Sequence, residues 1–469
     1  MAVVSIINRS QLEDTTRIDA EYYHPEYLSL EKEILRTKSC RLWKYLDGQF
    51  ITGPFGSEFN VENYLTVSPY RYVRGKDVKE FFLHNEDNVY IPKKDFKRLS
   101  KYALKEGDVL ISVVGTLGNT VVIDKNVLPA IFSCKSTVFR PKAVNPFYLI
   151  AYLNCRFGRK LLERKVRGAV QTGLNIGDLK SMPIFLPNSE IQNELAKIVL
   201  KAKKNYDLAK FFYSQAETLL LEELGLKDFK PKYELSYTAK LSDAFGVHRV
   251  DAEYFQPAYE LVVKRIREYP NGFSKLLKCV GNVKPNYDPT KYHEQVFSYV
   301  ELADIDSSIG VIHSVKEIKG EEAPSRARRL LKQKDVIVSS VEGSLEKVAL
   351  INKKHDGSLA STGFFQFRPL DILPEVLLIL SKTVVLQSQL KRQCSGTILT
   401  AVPKGSLRDI IIPILPPEIQ QKIASLIQQS YDARRKAKNL LEIAKILVEI
   451  AIEKNEEEAL NYLSKSENK

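Results

Sequence analysis

Tryptophan occurs once, methionine twice and cysteine five times in 469 residues. The cysteines (Cys40, Cys134, Cys155, Cys279, Cys394) stand far apart, with no Cys-x-x-Cys pair and no Cys/His spacing suited to zinc. Reduced thiols and a cytoplasmic location are therefore expected. No run of eighteen apolar residues occurs, and the opening MAVVSIINRS has no basic stretch ahead of a long apolar core. Neither a membrane span nor an export signal is expected. The six histidines show no paired i, i+4 spacing and no Ser or Cys partner, so no metal, no cofactor and no catalytic residue is predicted. A G-x-x-x-x-G-K-[ST] phosphate loop is also missing, which excludes an ATP-driven motor.

Positive charge is in excess. Seventy Lys and Arg face 57 Asp and Glu, for a net charge of +13 spread over both halves of the chain. That balance favours a polyanionic partner. With 44% apolar residues the chain can bury a large core, in two to four domains by length.

The chain repeats itself. Arg17-Ile-Asp-Ala-Glu-Tyr-Tyr-His-Pro-Glu-Tyr27 returns as Arg249-Val-Asp-Ala-Glu-Tyr-Phe-Gln-Pro-Ala-Tyr259. Further matches follow in the same order: Tyr72-Val73 and Asp77 with Tyr299-Val300 and Asp304, Asp108 with Asp335, Phe139-Arg-Pro141 with Phe367-Arg-Pro369, and Glu190-Ile-Gln192 with Glu418-Ile-Gln420. Two copies of one unit thus fill nearly the whole chain. The first part of each copy carries short β-branched runs between Gly and Asp turns, such as Asp108-Val-Leu-Ile-Ser-Val-Val114, which reads as a strand-rich α+β domain.

The last part of each copy is helical in pattern. Apolar residues recur at spacings of four and three through Ile191, Leu195, Ile198, Ala202, Asn205, Ala209, Phe212, Ala216 and Leu219. They do so again, in the same register, through Ile419, Ile423, Leu426, Ser430, Ala433, Ala437, Leu440, Ala444 and Leu447. A core-facing helix of a globular domain is the plainer reading of each stripe. Two matched long helices are also each other's natural partners, and an approximate two-fold relation between the copies predicts an antiparallel coiled coil, with Asn205 either a polar residue that sets register or a solvated edge position.

The segment Arg167-Gly-Ala-Val-Gln-Thr-Gly-Leu-Asn-Ile-Gly-Asp-Leu-Lys-Ser-Met-Pro-Ile-Phe-Leu-Pro187, followed by Glu190-Ile-Gln192, resembles the end of a target recognition domain in the specificity subunits of type I restriction-modification enzymes. Thr52-Gly-Pro-Phe-Gly-Ser57, Tyr72-Val-Arg-Gly-Lys-Asp77 and Glu106-Gly-Asp-Val-Leu-Ile-Ser-Val-Val-Gly-Thr-Leu-Gly118 are similar to that family's pattern in the same order. The second copy departs from it: Asn282-Val-Lys-Pro-Asn-Tyr287 lacks the loop glycines, and Gly396-Thr-Ile-Leu-Thr-Ala-Val-Pro403 lacks the Gln and Asn.

The resemblance implies a recognition domain over 1–187, a central spacer helix over 188–226, a second recognition domain over 227–417 and a C-terminal spacer helix with tail over 418–469. It implies a subunit without catalysis of its own, which reads a bipartite, asymmetric double-stranded DNA target. Its partners would be two methyltransferase subunits and, in the full complex, two restriction subunits that supply motor and nuclease. Docking of partners is expected on the helices, at Ile191, Leu195, Ile198 and Phe212 and at Ile419, Ile423, Leu426 and Leu440.

Candidate DNA contacts follow from charge and loop chemistry. The densest basic cluster is Arg156, Arg159, Lys160, Arg164, Lys165 and Arg167, suited to phosphates, although a solvated helix face reads the same way. Arg164, Lys165, Arg167 and the adjacent Gln171 are the candidates there. Arg71, Arg74 and Lys76 alternate with Tyr72 and Val73, and on a strand Arg74 and Lys76 would share a face, with Arg74 suited to a bidentate contact with guanine. The Gly53, Phe55, Gly56, Ser57 loop and the Thr116 and Asn119 turn can bring backbone amides close to a duplex; an ordinary turn is the alternative. In the second copy the candidates are Arg326 and Arg328, within the run that continues through Arg329, Lys332 and Lys334, and Lys347.

Two enzymatic readings compete, and together they would describe a fused methylase-nuclease specificity protein. Asn145-Pro-Phe-Tyr148 is close to an amino-methyltransferase motif, but its second proline and a Gly-rich loop for S-adenosylmethionine are missing. Asp304 or Asp306 with Glu317-Ile-Lys319 has the composition of a Mg²⁺ nuclease site, yet Asp77, the repeat partner of Asp304, has no such pair after it.

Overall fold

The computed structural model describes residues 3–10, 12, 17–85, 87–168, 172–229, 231–396 and 400–467. The chain divides into two compact units, one formed by 1–206 with 435–469 and the other by 207–434. Both boundaries fall inside long helices, so each of these helices belongs partly to each unit.

In the first unit the strands are β1 (Ser39–Arg41), β2 (Ile51–Thr52), β3 (Arg71–Val73), β4 (Val89–Tyr90), β5 (Val109–Ser112), β6 (Thr120–Val122), β7 (Ala130–Phe132), β8 (Ser136–Phe139), β9 (Val166–Arg167), β10 (Gly173–Leu174) and β11 (Pro183–Phe185). They form an antiparallel sheet in the order β2-β8-β5-β6, a sheet β4-β3-β7 in which β3 and β7 run parallel, and the pairs β1-β11 and β9-β10. Strand β5 is buried at every position, so its first three residues, Val109, Leu110 and Ile111, read as a continuous apolar run rather than an alternation.

Helices Pro146–Asn154 and Arg156–Arg164 pack on this sheet. The first starts where its sequence says it should. Asn145 accepts from the Phe147 amide at 2.9 Å and Pro146 occupies the first turn, which gives the methyltransferase-like Asn-Pro-Phe-Tyr run a helix-capping role.

The second unit repeats the plan with β12 (Phe273–Lys275), β13 (Val280–Asn282), β14 (Val296–Val300), β15 (Ile305–Asp306), β16 (Val311–Ile312), β17 (Lys316–Lys319), β18 (Ala327–Leu330), β19 (Val336–Ser339), β20 (Val348–Leu350), β21 (Leu359–Ser361), β22 (Phe364–Pro369) and β23 (Ile411–Pro413). The order β13-β22-β19-β20 matches β2-β8-β5-β6, the parallel pair β14 and β21 matches β3 and β7, and β12-β23 matches β1-β11. The second unit differs in having β18 as an extra partner of β21.

The repeated Glu-Ile-Gln motif has the same task in both units. Gln192 accepts from the Asn145 amide at 3.0 Å, and Gln420 accepts from the Leu373 amide at 3.2 Å. Each glutamine also donates to a carbonyl just before its own helix, that of Pro187 or Leu415, at 3.0 Å. The long helix is thereby tied to the start of the helix pair that covers the sheet.

The long helices run over Ser189–Glu223 and Pro417–Glu453. Within the first unit the early residues of the central helix (Ile191, Leu195, Val199) share a core with late residues of the C-terminal helix (Ala444, Leu447, Val448). Within the second unit the order reverses, and Leu220 and Leu224 share a core with Ile423 and Ile427. The two helices therefore pair antiparallel. Small residues line the seam: Ala202, Ala209, Ala216, Ser430, Ala437 and Ala444 are all buried. Ser430 Oγ donates to the Ala209 carbonyl at 2.7 Å, a contact only closely approaching backbones permit. Asn205 does not set the register; its amide donates to the Lys201 carbonyl of its own helix.

The fold is α+β, with two tandem strand-rich domains, each followed by a long helix, and the two helices paired as an antiparallel coiled coil. Among the described residues no helix is long and apolar enough to cross a membrane.

Candidate nucleic-acid interface

In the first unit several loops meet at one rim of the sheets, at the ends of β3, β5 and β7. The Ser133 amide donates to the Val73 carbonyl at 3.0 Å, and the Val113 amide donates to the Lys135 carbonyl at 2.9 Å. The Leu174 amide donates to the Val113 carbonyl at 3.0 Å, which brings in the β9-β10 hairpin. A Cβ on Gly53 would lie 2.4 Å from the Phe132 and Ser133 backbone, and one on Gly75 would lie 2.7 Å from Lys135 Cβ. These glycines are what let the 53–57 and 74–77 segments seat against the 133–135 turn.

At this rim Phe55, Gly56, Ser57, Thr116 and Lys135 are exposed, and so is Lys76, which pairs with Asp87 at 2.6 Å. Gly115 and Gly118 take positive φ of 86° and 77°, which shapes the turn that presents Thr116. Ser112 Oγ donates to the Thr116 carbonyl and receives the Asn119 amide at 3.0 Å. Arg159 fastens the same turn from the basic helix, donating to the Leu117 carbonyl at 3.2 Å and to Asn119 Oδ1 at 2.7 Å.

The structure therefore brings together the Gly53, Phe55, Gly56 and Ser57 loop, Lys76 and Thr116. Sequence reading missed Lys135, whose only signal was a charge in the short gap between two apolar strands.

Other expected contacts are corrected by burial. Arg71 is 6% exposed and spends its guanidinium on Asn85 Oδ1 (2.6 Å) and the His84 carbonyl (2.9 Å). Burial pulls its pKa down. Arg74 is gripped by Asp77 and Asp87, both at 2.9 Å, and it lies beyond β3 at the start of a 3₁₀ turn, so the alternation with Lys76 is not that of a strand. Asn119 is buried and donates to the Val78 carbonyl.

The Arg156–Arg167 cluster is neutralised from within: Arg156 by Glu453, Lys160 by Glu26 and Glu163, Arg164 by Glu31, and Arg167 by Asp178. Arg164 and Lys165 are 4% and 5% exposed, and Lys165 donates to the Tyr22 hydroxyl at 3.0 Å. Arg167 remains exposed at the start of the hairpin, and Gln171 lies outside the described residues.

The repeated Arg-x-Asp-Ala-Glu-Tyr motif explains this burial. Arg17 pairs with Asp19, lies 4.3 Å from the Tyr22 ring centroid and donates to the Arg164 and Val166 carbonyls. Arg249 does the same with Asp251, Tyr254 and the carbonyls of Arg392, Gln393 and Cys394. Each motif caps the C-terminus of the second helix of the pair, where orphan carbonyls and the helix dipole favour a cation.

In the second unit the matching rim is polar in a different way. Ser340 receives the Val402 amide at 2.8 Å and donates its own amide to the Gly363 carbonyl at 2.9 Å, and the Glu342 amide donates to the Thr400 carbonyl at 3.0 Å. Gly363 stands where the first unit has Lys135. Arg326 is exposed beside this turn, with the Thr362 amide donating to its carbonyl. Arg328 pairs with Asp288, and Lys347 is half-buried and donates to the Ile305 carbonyl at 3.1 Å. Arg329 is enclosed, with burial alone pushing its pKa down to about 10.

The carboxylates considered for a nuclease are each engaged elsewhere. Asp304 receives the Glu301 amide and the Ser314 hydroxyl at 2.8 Å, as Asp77 receives the Arg74 amide. Asp306 pairs with Arg434 at 3.1 Å, Glu317 receives the Ser298 hydroxyl, and Lys319 pairs with Glu294. Among the described residues no group of three or more His, Cys, Asp or Glu is placed to hold a metal ion.

Of the expected docking residues, Ile191, Leu195, Ile198 and Ile423 are buried inside their own units, which removes them from any outer surface. Ile419, Leu426 and Leu440 are half-buried against the cores, and Phe212 is half-buried beside Phe211. The apolar side chains left outermost on the helices are Leu200, Phe211 and Ile446.

Comparison with known proteins agrees with the repeat. The family model of the type I restriction modification DNA specificity domain matches residues 56–210 and again 284–445. No curated protein sequence matches significantly. Among solved structures, the S subunit of a type I restriction-modification system from M. genitalium is 13% identical, covers 88% of this chain and 94% of its own, and has a TM-score of 0.42. The HsdS subunit from Thermoanaerobacter tengcongensis is 15% identical, with coverages of 89% and 96% and a TM-score of 0.28. With one family match in each repeat copy, together spanning more than half of its length, the chain belongs to the type I restriction-modification DNA specificity family and carries two copies of its domain.

Proposed function

We propose that this chain is the DNA-reading subunit of a type I restriction-modification enzyme, that it recognises a bipartite, asymmetric duplex target with one rim per half-site, and that it leaves catalysis to its partners. The observation that carries this reading is the contrast between frame and rim. The order of the main sheet, the arginine cap on the second helix of each pair and the helix seam correspond in the two units, whereas the first rim offers Phe55, Thr116 and Lys135 and the second offers Ser340, Glu342 and Arg326. Identical rims would read a symmetric site; different rims read an asymmetric one.

The partners in this proposal are two methyltransferase subunits and, in the full complex, two restriction subunits. The central helix has 35 residues and is about 50 Å long at 1.5 Å per residue, equivalent to roughly fifteen base pairs. A spacer of that length suits two half-sites about one helical turn apart or slightly more. Mapping methylated bases by single-molecule sequencing, in DNA from cells carrying the operon, tests the proposal. A split asymmetric motif is expected, and a continuous motif would contradict it. Methylation of DNA by the purified chain with S-adenosylmethionine alone would refute the non-catalytic assignment.

A further inference from the structure

We propose that the lysine face of the short helix Lys93–Arg98 and its 3₁₀ continuation Ser100–Tyr102 is the phosphate-tracking surface of the first unit. The proposal rests on the DNA-reading function above. Lys93, Lys94, Lys97, Arg98 and Lys101 lie along one side of this segment, and Lys93, Lys94 and Lys97 carry the charge of its first turns. At 100° per residue these positions fall on one arc of about 140°.

The opposite arc holds the segment down. Phe96 stacks on Tyr70 with ring centroids 4.5 Å apart, and Asp95 and Leu99 are 7% and 2% exposed. The cationic arc is therefore presented outward on a fixed support.

Two observations direct this surface to DNA. The first is its place beside the rim. Glu58 follows directly on the Gly53–Ser57 loop, and its carbonyl accepts from Arg98 at 2.8 Å while its carboxylate receives Lys101 at 3.2 Å and the Tyr102 hydroxyl at 2.6 Å. The exposed loop that carries Phe55 and the cationic helix thus form one continuous surface.

The second is charge balance. Each member of the denser Arg156–Arg167 run that forms an ion pair does so with a carboxylate of its own unit, so few of its cations are available to an outside anion. Lys93, Lys94 and Lys97 have no ion-pair partner among the described residues, and only Glu58 answers the rest of the face from outside the helix. Cations without internal partners are the ones that neutralise phosphates and release counterions.

The test is a salt titration of duplex binding by the full chain, co-produced with its methyltransferase subunit, on a random-sequence 40-base-pair duplex, since phosphate contacts are independent of sequence. In the triple variant Lys93→Gln, Lys94→Gln, Lys97→Gln the slope of log affinity against log salt is expected to shrink by about 0.9 for each phosphate that is no longer neutralised, up to about 2.7. Affinity at low salt should fall about tenfold or more. Lys160→Gln, whose ammonium already sits between Glu26 and Glu163, is expected to leave the slope unchanged. Because the three lysines reach solvent, the thermal melt should not move. An unchanged slope in the triple variant would overturn the proposal while leaving the functional reading in place. A wild-type complex without salt-dependent retention would instead refute that reading. Loss of the methyltransferase subunit with an unchanged slope would assign the face to a protein partner and also overturn the proposal.

Discussion

Gly53 and Gly56 lie three residues apart in one loop, yet the structure gives a methyl group at each a very different reception. A Cβ on Gly53 would stand 2.4 Å from the Phe132 carbonyl oxygen and from the Ser133 carbonyl carbon and oxygen. A Cβ on Gly56 meets nothing within 4 Å. The atoms opposing Gly53 are backbone, fixed by the Ser133 amide to the Val73 carbonyl and by the Ser136 amide to the Ser133 carbonyl, both at 3.0 Å. To restore ordinary contact the loop must withdraw by about 1 Å, at a cost typical of overpacking, roughly 1–3 kcal/mol. For a unit on the order of 240 residues, about 2 kcal/mol corresponds to roughly 4–8 °C in melting temperature. Gly53→Ala should lower the melting transition of the first unit by that amount and weaken duplex binding by the assembled complex. Gly56→Ala should be neutral or slightly stabilising, because alanine restricts the unfolded chain. Scanning calorimetry and duplex titration on both variants check this. Equal melting temperatures for the two variants would refute the reasoning, since it depends entirely on the close approach at Gly53.

Three further outcomes are expected. Ser430→Leu forces a large side chain into the seam where Ser430 Oγ meets the Ala209 carbonyl at 2.7 Å, and it should destabilise the second unit by about 1–3 kcal/mol in denaturant titration, against about 1 kcal/mol for Ser430→Ala. Burial works against ionisation of Asp306, but Arg434 and the Ser308 hydroxyl and amide outweigh it and hold the carboxyl below its usual range. The stabilisation from this pair is complete above about pH 4 and lost as the pH falls through the lowered value, so Asp306→Asn should be less stable than wild type at pH 7 and show a shallower loss in melts taken down to pH 3. Arg159→Ala removes the donors to the Leu117 carbonyl and Asn119 Oδ1, and amide exchange at Gly118 and Asn119 should accelerate about tenfold, for a local loss of roughly 1.4 kcal/mol.

Pattern alone settled the features that depend on periodicity and local chemistry. The repeat was legible in motifs such as Arg17–Tyr27 and Arg249–Tyr259, the antiparallel sense of the helix pair in the two-fold relation between the copies, and the seam in Ala202, Ala209, Ala437 and Ala444 recurring at heptad spacing. The loop at Gly53 and the turn at Thr116 were legible from their glycines, the first because backbones converge there and the second because Gly115 and Gly118 take positive φ. Cation density was a poorer guide. The run from Arg156 to Arg167 is conspicuous in sequence, but its ion-pair partners Glu26, Glu31 and Glu453 lie far away along the chain, so only folding reveals that these charges are already answered. The same holds for the Arg-x-Asp-Ala-Glu-Tyr motif, whose identity marked the repeat but whose task, capping a helix end more than a hundred residues later, exists only in three dimensions. The sequence by itself determined the duplicated frame, since periodicity and turn chemistry are local. Tertiary structure decided which charges and loops face outward, since exposure and ion pairing depend on residues that the chain order keeps apart.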